Sequence, residues 1–305
     1  MNEEIRLFLE GVFSTNELNR LPEMFGGDRI FSSPLIGVSC GDDYIFGKYK
    51  EIIAPEHLTP PEMWTQNGLP HHKNLPERLR IVSIVFPYVS RIREEGEKNK
   101  ENVPPEIYCV ARNFANPFMN AVLEEIVRFI QKKGYRAIGG MKSGAFQVLT
   151  KKAPFRIYSN WSERHVAFAS GLGTFSLHEG LITEAGCNIR LASVITDAPL
   201  EMTPRLSDEP YSNCLYFVDG TCDSCMVKCP AGAITQEGHD KHKCFLYGRN
   251  VGEEMRARSL KSILKPHHRT VNGETRVSYP VGCALCQFGV PCTDKNPTHL
   301  DQEVG

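Results

Sequence analysis

Nowhere in the 305 residues do about 18 apolar side chains run together, so no segment reads as a membrane-crossing helix. Long charge runs of one sign are also missing: 35 lysines and arginines stand against 36 aspartates and glutamates, a formal charge of −1. That balance gives no general electrostatic hold on nucleic acid or on an anionic membrane. The amino terminus, MNEEIRLFLEGVF, lacks the basic start, apolar middle and small-residue cleavage site of a secretory signal, and it carries no twin-arginine pair. No internal repeat or low-complexity stretch occurs. The expectation is a cytoplasmic chain with no membrane partner and without nucleic acid as its target.

What the chain does hold is 41% hydrophobic residues, enough for a sizeable core in one large domain or two ordinary ones. RLRIVSIVFPYV (78–89) is rich in β-branched and aromatic residues and predicts a strand. The stretch 92–106 is charged and proline-ended and predicts a loop. From Pro117, the spacing of Val122, Leu123, Ile126, Val127 and Ile130 predicts a helix, ended by Lys132, Lys133 and Gly134. Residues 162–171 predict a short helix with Ser162 as cap and Gly171 as stop. IRLASVIT (189–196) predicts a buried strand. After Asp197 the composition turns to prolines, turns and cysteines, so the expected division is a mixed α and β domain over 1–200 and a cysteine-rich domain over 201–305.

Of 11 cysteines, Cys40, Cys109 and Cys187 are scattered, and Cys40 and Cys109 read as small buried hydrophobes. The other eight, Cys214, Cys222, Cys225, Cys229, Cys244, Cys283, Cys286 and Cys292, crowd the last third. In a reducing compartment that crowding argues for metal, not disulfides. Zinc ribbons keep their two CxxC pairs roughly 15–20 residues apart, whereas CDSC (222–225) and CALC (283–286) are much farther apart. CDSCMVKCPAGAI (222–234) instead has the C-x2-C-x3-CP shape that in ferredoxins wraps one cubane and sends its last cysteine to a second. Two [4Fe–4S] clusters need eight thiolates, which this region supplies. Chain order assigns Cys214, Cys222, Cys225 and Cys292 to one cluster and Cys229, Cys244, Cys283 and Cys286 to the other. Asp219 stands where a standard motif has its first cysteine, so either Cys214 reaches in from a longer loop or Cys187 takes its place.

SGLGTFS, then LASVITDAPL, then CDSCMVKCPAGAI and the closing GCALCQFGVPC follow in an order that resembles the epoxyqueuosine reductase and reductive dehalogenase superfamily. RIVSIVFPYV and VARNFANPFMNAVLEEIVRFIQKKGYRA are similar to that superfamily's strand, link and long helix. The resemblance covers about residues 78–300 and is loose over 1–77. It implies an α+β fold, a nitroreductase-like α/β sandwich domain followed by a two-cluster ferredoxin-like domain. It further implies a cobalamin-type corrinoid fed with single electrons by the clusters. Gly171, Leu172, Gly173, Thr174 and Ser176 would line the corrinoid, with Arg112 and Asn113 as polar contacts. Glycines suit such a face because they permit close backbone approach.

The epoxyqueuosine branch carries a catalytic aspartate ahead of its GLG helix. The corresponding FRIYSNWSERH (155–165) has no acidic residue before Glu163, which leaves Tyr158 as proton donor and Asn160 as a hydrogen-bonding partner of substrate. The reading is an oxygen-sensitive oxidoreductase acting on a small organic molecule, supplied by a low-potential donor such as ferredoxin or flavodoxin. Two alternatives stay open: an iron–sulfur electron-transfer or corrinoid-reactivating protein without its own corrinoid, and a flavin in the corrinoid's place.

Overall fold

Ile81 to Pro87 are buried without a break, because the strand they form is covered on both faces. The computed structural model describes residues 1–152, 155–205 and 207–298. Its first two thirds run α1 (Asn2–Thr15), β1 (Leu35–Cys40), α2 (Ile45–Ile52), α3 (Pro60–Gln66), α4 (Leu75–Arg78), β2 (Arg80–Pro87), α5 (Ser90–Lys98) and α6 (Glu106–Lys132). Next come β3 (Ala137–Gly139), β4 (Val148–Lys152), β5 (Phe155–Ser159), α7 (Glu163–Ala169), β6 (Thr174–Phe175), β7 (Leu181–Ile182) and β8 (Ile189–Thr196). The remainder holds α8 (Leu215–Val218), α9 (Ser224–Val227), β9 (Ile234–Thr235), β10 (Gly238–His239), α10 (Lys241–Ala257), β11 (His267–Val271) and β12 (Glu274–Ser278).

The central sheet has the order β1-β2-β8-β3, every pair antiparallel. Period-two alternation sends Val82, Ile84, Phe86, Ala192 and Val194 to one face, against α1 and α6. Ile81, Leu191 and Ile195 go to the other, against Phe46 and Tyr49 of α2, Trp64, Trp161 and the apolar face of α7. Helices on both sides of an antiparallel sheet agree with the expected α+β class. The strands expected at 78–89 and 189–196 fall at β2 and β8, and the helix expected at 162–171 is α7, with Ser162 at its cap and Gly171 left-handed at φ +73°.

Two expectations are corrected. The stretch 92–106 is a loop only from 99 to 105: α5 occupies its first part through Lys98, anchored by buried Ile92 and by Gly96, where an added Cβ would overlap the Phe288 ring. And α6 begins at Glu106 and passes through Pro117. A proline inside a helix costs roughly 3 kcal/mol. Here Ile107, Tyr108, Val110, Ala111, Ala115, Phe118 and Met119 are buried on both sides of it, and packing outweighs the local preference.

Residues past 201 join the same core: Val251, Met255, Leu260, Leu264, Val281 and Phe288 pack with α6 and its neighbours. Strand β11 lies parallel beside β4, pairing Val271 with Val148, so the sheet β12-β11-β4-β5 draws on both parts of the chain.

Candidate functional site

Cys214 caps α8, Cys222 and Cys225 lie before and on α9, and Cys292 comes from the closing loop. All four line one cavity, with His178, Tyr216, Val290 and Pro291 among the remaining wall. Burial, then the thiols of Cys292, Cys214 and Cys222, push Cys225 up to about 12. The second set behaves alike. Burial and then Cys283, Cys244 and Cys229 drive Cys286 well above an ordinary thiol, and burial with Cys244 and Cys229 pushes Cys283 up to about 11. Thiols gathered so that each resists the ionisation of the next fit a metal centre, where cations take the place of the protons. Cysteine-only donor sets of this kind are compatible with iron–sulfur ligation.

Cys187 is not in the wall of the first cavity. It is buried behind Cys292, with the two sulfurs 3.7 Å apart and its backbone N–H donating to the Cys292 carbonyl at 2.8 Å. Of the two residues that the spacing left open, the cavity wall carries Cys214.

Cys187 and His178 also line a larger chamber of about 1020 Å3, and His178 belongs to both walls. Tyr44, Tyr49, Tyr158, Trp161 and Phe175 give the chamber aromatic sides; Lys48, Arg112, Arg164 and Lys241 give it cations. Its volume lies at the upper end of ligand cavities, roughly 300–1,000 Å3, so it accommodates a cofactor-sized molecule. Two carboxyls in its wall are driven apart. Burial would raise Glu179, yet His239 and Lys241, whose ammonium lies 3.0 Å away, hold it down to about 2. Burial pushes Glu163 up to about 7; its oxygens make no hydrogen bond of ordinary length and angle, and only Ser193 and the Met141 backbone favour the ionised form. Nothing in the sequence pattern singles out Glu163, because position one of a helix is an ordinary place for an acid; its burial comes from the chain across from it.

The candidate cofactor and catalytic residues separate. Arg112 faces the chamber. Asn113 does not: its amide is spent on the backbone of Lys265, accepting from N–H at 2.8 Å and donating to C=O at 3.0 Å. Gly171, Leu172, Gly173 and Thr174 line a separate pocket of about 500 Å3 beside Arg205, while Ser176 lines the first cysteine cavity. A Cβ on Gly171 would lie 2.5 Å from the Pro204 carbonyl oxygen, and one on Gly173 would overlap the Ile182 carbonyl. Protein backbone already fills the space those glycines leave, so the pair does not fit as the floor of a macrocycle. Asn160 is held inside the fold, accepting from the Gln147 N–H at 2.7 Å and donating to the Ala145 carbonyl at 2.8 Å. The Tyr158 ring lies in the chamber wall between Lys151 and Arg156, at 5.6 and 5.5 Å, with Lys151 bridging to Glu56 at the surface.

With one four-cysteine cavity sharing His178 with the chamber, comparison with solved structures bears on the architecture. Epoxyqueuosine reductase from Streptococcus thermophilus superposes at a TM-score of 0.51 with 16% identity, covering 97% of this chain and 69% of that one. The chain has the fold of epoxyqueuosine reductase. That coverage takes in the first 77 residues, whose sequence resembles the superfamily only loosely. An epoxyqueuosine reductase bound to a modified tRNA stem loop gives 0.49 at 16% identity, covering 96% of this chain and 65% of that one. A catabolic reductive dehalogenase gives 0.43 at 15% identity, covering 70% and 27%. No protein-family model and no curated protein matches the sequence. Among the described residues no helix is long and apolar enough to cross a membrane.

Proposed function

We propose that this chain is an oxidoreductase that passes single electrons through two [4Fe–4S] clusters to a corrinoid in the large chamber, for reduction of a small organic molecule. Cys214, Cys222, Cys225 and Cys292 hold the first cluster; Cys229, Cys244, Cys283 and Cys286 hold the second. The observation that carries this reading is the shared wall: His178 lines both the first cysteine cavity and the chamber, and Cys187 spans from Cys292 into the same chamber. Electrons enter from a low-potential donor at the second cluster, whose Cys244 is exposed. A corrinoid would supply one-electron reduction at a metal held close to the substrate. The chain's own residues contribute the rest. Aromatic side chains and Arg112 enclose the group, and Glu163, half protonated near neutrality, supplies the proton in preference to Tyr158, which shapes the mouth. The expectation that nucleic acid is not a target draws on the near-neutral overall charge. The tRNA stem loop seen with one relative, set beside the cations of this chamber wall, makes a nucleotide-bearing substrate the second reading.

The test is anaerobic reconstitution with iron and sulfide, addition of hydroxocobalamin, and desalting. Retention of about one corrinoid per chain, with about eight irons, supports the proposal. Intact clusters with no retained corrinoid favour an electron-transfer protein, and a retained yellow chromophore identifies a flavin.

A further inference from the structure

Cys187 belongs to neither four-thiol set, yet it is 2% exposed and its sulfur lies 3.7 Å from that of Cys292. His178, 5% exposed, completes the group: one of its ring nitrogens and the two sulfurs lie within 4.8 Å of one another. The ring is oriented by backbone. Gly180 donates its N–H to His178 Nδ1 at 3.1 Å, which leaves the proton of the neutral imidazole on Nε2. That Nε2 is buried and has no other hydrogen-bond partner among the described residues. Gly180 also makes room for it, since a Cβ there would come 2.5 Å from His178 Cε1. With Cys292 ligating a cluster as a thiolate, the only proton available between the two sulfurs, 3.7 Å apart, is that of Cys187.

A cluster-bound thiolate has no proton and accepts hydrogen bonds only. Donors aimed at a ligating sulfur stabilise the reduced, more negative cluster and so raise its reduction potential. The second set has a histidine of its own, since His239 hydrogen-bonds the sulfur of Cys244, but that cysteine is exposed whereas Cys187 and His178 stand buried behind Cys292.

Resting on the cluster assignment above, we propose that the Cys187 thiol and His178 Nε2–H donate hydrogen bonds to the Cys292 sulfur. They raise the potential of the first cluster at the side where it meets the chamber. Cys187 and His178 are positioning residues in this scheme, acting on the cluster through Cys292 and forming the partition between cluster and chamber.

The test is an anaerobic redox titration of the reconstituted full chain, followed by electron paramagnetic resonance. In Cys187→Ala the midpoint of the first cluster moves to lower potential while that of the second stays fixed as an internal reference. Cys187→Ser, which keeps a donor of similar size, restores most of the shift. A second measurement needs no substitution: in deuterated water the first cluster of the native protein gains coupling to exchangeable deuterons near Cys292. An unmoved first midpoint in Cys187→Ala, or loss of one cluster in that variant, overturns the inference and leaves the proposed function standing. In the latter case Cys187 is a ligand. Native protein that takes up no iron overturns the proposed function and this inference with it.

Discussion

Glu163→Gln is the substitution whose effect the structure sets most directly. Glutamine keeps the shape of the carboxyl and removes its ionisation. In the folded chain burial lifts Glu163 from an ordinary 4.5 to about 7. A carboxyl raised in this way keeps its proton in the fold at pH values where the unfolded chain has already released it. Its contribution is therefore unpenalised below about pH 4.5, falls as pH rises toward 7, and stays at its lowest above that. Each unit is worth about 1.4 kcal/mol, so the penalty reaches about 3 kcal/mol at pH 8. The variant should lack this slope. At about 2 °C per kcal/mol for a chain of this size, thermal unfolding of anaerobic protein without added corrinoid should show the following. The native chain loses roughly 6 °C relative to Glu163→Gln between pH 4.5 and pH 8. Equal pH profiles for the two proteins would refute the placement of Glu163 in a water-poor wall, and with it the role as proton source.

Three further outcomes follow from the same geometry. Cys225→Ala and Cys283→Ala should each halve the iron of the reconstituted protein, from about eight to about four per chain, read by iron and labile-sulfide assay; full iron in either variant contradicts the ligand sets. Asn113→Ala should cost about 2–3 kcal/mol, since two part-buried hydrogen bonds are lost and the Lys265 backbone loses its Asn113 partners, while corrinoid retention by the folded fraction stays unchanged. Gly173→Ala should destabilise by more than about 2 kcal/mol, read by urea unfolding, because the added carbon meets the Ile182 carbonyl and nothing flexible can move away.

Strands β2 and β8 were legible because each is covered on both sides, which makes a strand mostly apolar and β-branched, with only small polar residues such as Ser83 and Ser193 buried in it. The eight cluster cysteines were legible because iron–sulfur ligation demands one side-chain type at tight spacing. By contrast, α5 could not be read: Ile92 and Gly96 are its only buried residues, and Gly96 is there for the Phe288 ring, almost two hundred positions away. Glycines 171 and 173 were legible as special positions but not in their purpose. A sequence records that no Cβ fits at a site; it does not record whether a ligand or the chain's own carbonyl occupies the space. Asn113 and Asn160 were misleading for a related reason. Polar side chains near a motif look like ligand contacts, but a buried amide whose oxygen and nitrogen are both paired with backbone is committed to holding the fold.

The wall between the first cysteine cavity and the chamber is built from two distant parts of the chain, and backbone hydrogen bonds fix their register. Cys187 N–H donates to the Cys292 carbonyl at 2.8 Å and Asn188 N–H to the Thr293 carbonyl at 3.2 Å, immediately before β8 enters the central sheet. Gly186 lets the strands of this contact approach, since a Cβ there would lie 2.5 Å from the Asp294 nitrogen. The closing cysteine is thus placed relative to the chamber by main chain tied to the most buried strand pair, not by packing that a side-chain change could relax. Electron transfer weakens steeply with distance, so a redox protein gains from fixing the gap between donor and acceptor in its most rigid part. Here that rigid part is the β2–β8 pair, and the cysteine-rich third is anchored to it at 187–188 and again at Asn113 and Lys265.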